Sequence, residues 1–173
     1  MIRLHARQPI PEACRGAIVA LGNFDGFHRG HQAVVGEAIA WARAEGRPAI
    51  VATFDPHPVR FFVPDAAPFR LTTLDQREDL FAAAGADATL VFAFDAAMAA
   101  IPADAWIAEI LARHIGAAGV VTGADFTFGK GRSGDVAMLA RAGPAHGVRV
   151  PSDPGCRGGQ AGKSPASAFC RSA

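Results

Sequence analysis

Ala17-Ile18-Val19-Ala20-Leu21-Gly22-Asn23-Phe24-Asp25-Gly26-Phe27-His28-Arg29-Gly30-His31 is the stretch on which the reading of the fold turns. An apolar run stops at a glycine, a loop follows, and from His31 to Ala44 the residues Val34, Val35, Ala38, Ile39, Trp41 and Ala42 recur at helical spacing before Gly46. Strand, loop and helix follow one another directly. The pattern then repeats downstream. Ala49–Phe54 reads as a second buried strand, broken by Pro56 and Pro58, and Ala88–Phe94 as a third. Between them Thr73-x-x-Gln76 opens a helix with a capping-box pattern that ends at Gly85. Pro102, placed as a first helical residue, starts a helix to about His114, followed by the strand Gly119-Val120-Val121-Thr122. A short helix over Asp135–Ala142 leads to Val148-Arg149-Val150. Strands separated by helices predict a parallel sheet covered on both faces, a doubly wound α/β domain. No internal repeat is present.

Outward from that core, composition sets bounds. The chain has 173 residues, half of them hydrophobic, and 17 Lys+Arg against 16 Asp+Glu leave a net charge of +1. So much apolar side chain collapses into one globular domain, and the absence of a basic excess excludes binding to nucleic acid by charge alone. No run approaches the roughly 18 apolar residues of a membrane span, and residues 1–7 lack the apolar core of a secretory signal, so neither membrane nor export is expected and the cytoplasm is. Cys14, Cys156 and Cys170 have no metal-type spacing and cannot all pair. Composition changes near 150. Residues 151–173 contain no Val, Ile, Leu or Met and only Phe169 as a large apolar group. Two readings of that segment stay open: a disordered Gly/Pro/Ser-rich tail, or a shift of reading frame in a GC-rich gene. Nothing in the sequence sets an oligomeric state.

Ligands of a parallel α/β sheet bind beyond the carboxyl ends of the strands, so chemistry is sought first in the loop after Leu21. Gly22 and Gly26 permit tight turns, and backbone amides opening the following helix attract anions. His28 and His31 flank Gly30 at that opening, which suits a phosphate; the competing reading is two solvated surface histidines. Zinc would need a third ligand such as His57 or an acid from a distant loop. Asp55-Pro56-His57-Pro58 leaves the second strand at its carboxyl end, stiffened by two prolines. Phe61 and Phe62 follow, with core packing preferred over stacking on an aromatic ligand. Gly129-x-Gly131-x-x-Gly134 matches a dinucleotide fingerprint only formally, because Asp125-Phe126-Thr127-Phe128 separates it from the strand. With Lys130 and Arg132 it reads better as a mobile, phosphate-grasping loop. Gly162-Lys163-Ser164 is a failed P-loop, with Arg157 at the required first glycine.

Three segments together carry a resemblance: Gly22–His31, Thr53–Pro58 and Val121–Asp135. They resemble the signatures of the H-x-G-H nucleotidyltransferase superfamily, in the version of the prokaryotic FAD synthetases, the FMN adenylyltransferase domain of the bifunctional riboflavin kinase/FAD synthetase family. The resemblance spans about 17–150 and implies a Rossmann-like fold over residues 1–150. It also implies adenylyl transfer from ATP to FMN, giving FAD and pyrophosphate, with Mg²⁺ accompanying ATP and these small molecules as the partners. By the same resemblance His28 and His31 act on the phosphates. Gly22, Asn23, Phe24, Asp25 and Gly30 bind ATP, and Pro56, His57, Pro58, Phe62, Asp125, Thr127, Phe128 and Arg132 hold the flavin nucleotide. A histidine contributes there as a cation only if its pKa is not driven far down, and adjoining phosphates favour its protonation. Metal ligands are not indicated. The family's Ser/Thr-rich I-S-S-T-x-x-R segment has no counterpart after Val150, and the riboflavin kinase module is not expected within 151–173. Two other readings therefore stand beside the first: an H-x-G-H enzyme for another phosphate monoester, and a flavin-nucleotide-binding remnant without catalysis.

Overall fold

The computed structural model of the chain describes residues 1–63 and 70–151. Five parallel strands form the sheet: β1 (Ile2–His5), β2 (Ile18–Leu21), β3 (Ala49–Phe54), β4 (Ala88–Phe92) and β5 (Gly119–Thr122), in the order β1-β4-β3-β2-β5. Ile18 lies opposite both Ala49 and Gly119, and Leu21 opposite Ala52 and Thr122, so the carboxyl ends of the three strands form one rim. β2, β3 and β4 are buried at every position. They lack polar alternation because both faces are covered.

Successive residues of β2 divide between two cores. Val19 and Leu21 pack with Trp106, Ile107, Leu111, Ile115 and Leu139 on one face. Ile18 and Ala20 meet Val34, Val35, Ala38 and Ile39 of α1 (Arg29–Ala44) and Phe81 of α3 (Leu74–Ala84) on the other. Each Val, Leu, Ile or Phe side chain so withdrawn from water contributes about 1.5–3 kcal/mol. A charged residue at Ile18 or Leu21 would therefore break a core on either side.

The local signals act as expected at α3, where Thr73 Oγ1 accepts from Gln76 N at 3.2 Å, Gln76 Oε1 accepts from Thr73 N at 2.9 Å, and Gly85 ends the helix at φ 100°. Elsewhere the structure corrects the boundaries. The third strand stops at Phe92, because Asp95 accepts from Met98 N at 2.8 Å and caps a short helix, α4 (Ala96–Ala99). Pro102 is the cap itself, extended at φ −59° and ψ 153°, with its carbonyl accepting from Trp106 N. α5 (Ala103–Ala105) runs on as a π-helix, Trp106–Ile115. Arg149 makes a single parallel bridge to Gly119 and lies over the Trp41 ring while donating to Glu45. Further elements, α2 (Pro58–Phe62), the hairpin β6 (Thr127–Phe128) with β7 (Gly134–Asp135), and edge strand β1, carried too little pattern to be foreseen. α6 (Val136–Ala142) follows, capped by Asp135.

In chain order the sheet grows from β2 through β3 to β4, then β5 returns to the other side of β2. The loops leaving β2 and β5 thus diverge and open the crevice at which such sheets bind ligands. Among the described residues no helix is long and apolar enough to cross a membrane. The expectations for 152–173 lie outside the described residues.

Candidate active site

The loop after β2 is built around Phe24, whose ring is 1% exposed and meets the rings of His31 and Phe81 edge-on. Gly22 makes room, since a Cβ there would lie 3.0 Å from Phe24 Cζ. Phe24 is thereby available to a ligand only through its backbone. Asp25 is held by chain far away in sequence: its carboxylate accepts from Leu71 N and Thr72 N, and from Thr72 Oγ1 at 2.8 Å. Burial pushes the Asp25 carboxyl up, but these donors outweigh it and hold it below the usual range.

His28 is the N-cap of α1, its Nδ1 accepting from Gly30 N at 3.2 Å, which leaves Nε2 for a ligand. A Cβ on Gly30 would come within 3.2 Å of that ring, so glycine lets the imidazole fold over the helix start. The ring stacks on His31, centroids 3.6 Å apart and planes 25° apart. Both imidazoles of the motif therefore present themselves at one place. Burial, then the neighbouring His28, pushes the His31 pKa down to about 4, against the opposing charges of Asp25 and Asp125. His31 without ligand is neutral at pH 7, so the cationic role holds only where bound phosphate restores its proton. Its Nδ1 and the Oδ1 of Asn23 are buried without a hydrogen-bond partner. Arg77 Nε and His114 Nε2 are buried without a hydrogen-bond partner as well, although buried polar atoms are rarely left so.

The loop after β3 leaves the adjacent strand end. His57 Nδ1 accepts from Val59 N at 3.2 Å and caps α2, with Pro58 in the first helical turn. Asp55, Pro56, His57, Arg60 and Arg70 line a cavity of about 250 Å³. Asp55 pairs with Arg70. Burial lowers the His57 pKa, as do Arg77 and Arg70, while Asp25 raises it. The preference for core packing at Phe61 and Phe62 is overturned: they are 38% and 62% exposed, and both rings pack on Phe94. α2 lies at the rim, not under the sheet, so it has no core to enter.

In the third segment Asp125 is exposed, and its charge reaches His31 across the crevice. Thr127 and Arg132 engage each other, Arg132 Nε donating to Thr127 Oγ1 at 2.9 Å. Phe128 is 6% exposed and packs on Trp106, so its ring belongs to the core. The glycines form a hairpin turn anchored by Lys130 N donating to Ile101 O at 2.7 Å, in place of a fingerprint opening a helix. The structure thus joins His28, His31, Asn23 and Asp125 at one crevice, with the 55–58 loop on the neighbouring strand end. Arg77, Thr72, Arg60 and Arg70 also belong to this region and were missed, and Thr53, quoted as the start of the second signature, was given no role. Thr72 sits next to a cap signal that hid it, and Arg77 lies among Asp75, Glu78 and Asp79, where a charge ordinarily faces solvent.

The fold and site thus combine a doubly wound parallel sheet with a stacked H-x-G-H pair at the start of the first crossover helix. The chain belongs to the FAD synthetase family, whose model matches residues 10–162. It is 37% identical over 145 residues to the bifunctional riboflavin kinase/FMN adenylyltransferase of Escherichia coli (strain K12), covering 83% of this chain and 46% of that protein. It is 40% identical over 145 residues to a putative bifunctional riboflavin kinase/FMN adenylyltransferase of Geobacillus thermodenitrificans (strain NG80-2), covering 84% and 76%. With the bifunctional riboflavin kinase/FMN adenylyltransferase of Pseudomonas fluorescens it shares 37% over 136 residues, covering 79% and 43%. The chain spans about half the length of the first and third of these relatives. A crystal structure described as a macrolide-efflux protein from Streptococcus pneumoniae shares the fold, with TM-score 0.73 at 23% identity over 87% of this chain and 50% of that one.

Proposed function

We propose that residues 1–150 transfer the adenylyl group of ATP to FMN. A phosphate oxygen of FMN attacks the α-phosphorus in line, the bond from that phosphorus to the β-phosphate oxygen breaks, and pyrophosphate leaves. The observation that carries this reading is the stacked His28–His31 pair at the start of α1, at the switch point of the sheet.

Catalysis of this kind is positioning plus stabilisation of charge growing on phosphate oxygens. His28 Nε2 serves that charge, Gly30 N being engaged by His28 Nδ1 and so holding the ring in place, and Gly22, Asn23 and Phe24 line the ATP side through their backbone. Asp25 shapes the loop and lends its field to His31, His57 and Arg77. FMN occupies the side of Pro56, His57 and Pro58, where the exposed ring of Phe62 is open to an isoalloxazine. Asp125 and the Thr127–Arg132 pair close the far side of the crevice, with Phe128 supporting them from the core. Mg²⁺ is held in such sites mainly by the nucleotide's phosphates with one or two carboxylates, and it neutralises phosphate charge when bound. No group of three metal-ligating side chains occurs among the described residues, and Asp125, exposed beside His31, is the carboxylate that fits that lesser requirement.

Purified chain incubated with ATP and FMN tests the reading through FAD formation. Quenching of FMN fluorescence without FAD would instead make the chain a binding protein. Equal affinity for nicotinate mononucleotide or phosphopantetheine would point to another phosphate monoester.

A further inference from the structure

We infer that Arg77 is a positioning residue that fixes the loop after β2 against the loop after β3, and through them the two reacting nucleotides against each other. What the loops hold rests on the function proposed above; that Arg77 joins them does not. Arg77 is the buried charge among the described residues, 3% exposed. One guanidinium nitrogen donates to the carbonyl of Asn23 at 3.0 Å and to Thr53 Oγ1 at 2.8 Å. The other terminal nitrogen stands 3.7 Å from Asp55 Oδ1. Thr53 Oγ1 in turn donates to the same Asn23 carbonyl at 2.8 Å. A residue of the first loop, the end of β3 and the first residue of the second loop therefore converge on one planar cation from α3.

Taking a cation out of water is costly, and an apolar side chain of similar volume would often serve stability as well. The pairing of β2 with β3 does not need it, since the backbone ladder runs from Ile18–Ala49 to Leu21–Ala52. Arg77 acts beyond the end of that ladder, where the strands have parted and only side chains can set the distance between Asn23 and Asp55. A planar fork that binds in two directions suits that task, and a lysine ammonium keeps the charge without the fork.

The test uses Arg77→Lys and Thr53→Val in the full chain. The second removes the shared hydroxyl at nearly constant volume and keeps the cation, so it serves if the first does not fold. FAD formation should lose kcat by about tenfold to a hundredfold in Arg77→Lys, the scale of a misplacement near 1 Å, with KM for ATP and FMN changed far less. Thr53→Val should lose kcat in the same direction, by less. Amide hydrogen exchange should accelerate over residues 23–26 and 55–59 in both variants, while β2–β5 stay protected. Unchanged exchange in these loops overturns the inference whatever the kinetics, as does a wild-type kcat in both variants or a loss confined to KM. If the wild-type chain makes no FAD, the proposed function fails on its own and the exchange data alone decide the role of Arg77.

Discussion

Replacing His28 with asparagine separates two tasks that one imidazole performs. As N-cap, His28 satisfies Gly30 N at 3.2 Å, a contribution of about 1 kcal/mol to stability that asparagine also supplies and alanine does not. As a ring stacked 3.6 Å from His31 it presents Nε2 to phosphate, and loss of one such charge-stabilising donor costs roughly 2.7–4 kcal/mol of transition-state energy, about 10²–10³ in kcat. His28→Ala should therefore lose both stability and turnover. His28→Asn should unfold in urea at the wild-type midpoint and still lose turnover. The His31 ring reports independently: burial first and the neighbour His28 second push it down to about 4, so in His28→Asn its NMR titration should move up by the smaller share due to His28, with burial still holding it below the ordinary value. An asparagine variant with wild-type FAD formation would reduce His28 to a helix cap and refute the reasoning.

Three further outcomes are expected. Asp25→Asn should cost about 1.5–3 kcal/mol at pH 7, the scale of hydrogen bonds to a charged group; because the folded carboxyl titrates below its unfolded value, the penalty should shrink as pH falls below 4, and a pH-independent penalty in urea titrations would count against it. Between pH 6.5 and about 4 the unfolded chain holds a proton at His31 that the folded chain does not, so stability should fall on acidification through that window by up to about 1.4 kcal/mol per pH unit, a slope that His31→Gln should lack. Gly129→Ala, at φ 76° and with its Cβ 2.6 Å from Ala103 Cα, should destabilise by about 2–4 kcal/mol and loosen the Thr127–Arg132 hairpin, readable as a lower Tm.

Legibility in the sequence followed the range of the forces involved. β2, α1, β3 and α3 were readable because burial on two sheet faces writes long apolar patterns and Thr73, Gln76 and Gly85 write local caps. The proximity of the H-x-G-H pair was readable because both residues lie three apart at one helix start. β1 was missed because Ile2-Arg3-Leu4-His5 is an edge strand with only Leu4 buried. Phe61 and Phe62 were misplaced because an exposed aromatic at a rim and a core aromatic look alike in one dimension. Arg77 and Thr72 were invisible as site residues for the opposite reason: their partners lie in other loops, and no local spacing marks them.

The ties that fix Asn23 and Asp25 have a bearing on how the chain is made. Thr53 reaches Asn23 across 30 residues, Leu71 and Thr72 reach Asp25 across 46 and 47, and Arg77 reaches Asn23 across 54. A chain emerging from the ribosome therefore completes the loop after β2 and the whole of α1 well before it possesses the groups that hold that loop in shape. The loop after β2 gains its fixed shape only once α3 is synthesised and docked, and a nascent chain stopped short of Arg77 would carry the complete H-x-G-H motif without the supports that hold its loop. Non-local closure of this kind slows folding relative to a helix bundle of equal length. Because α3 precedes β4 and β5 in the chain, these supports exist before the sheet is complete, and the loop after β2 is braced while two strands are still to come.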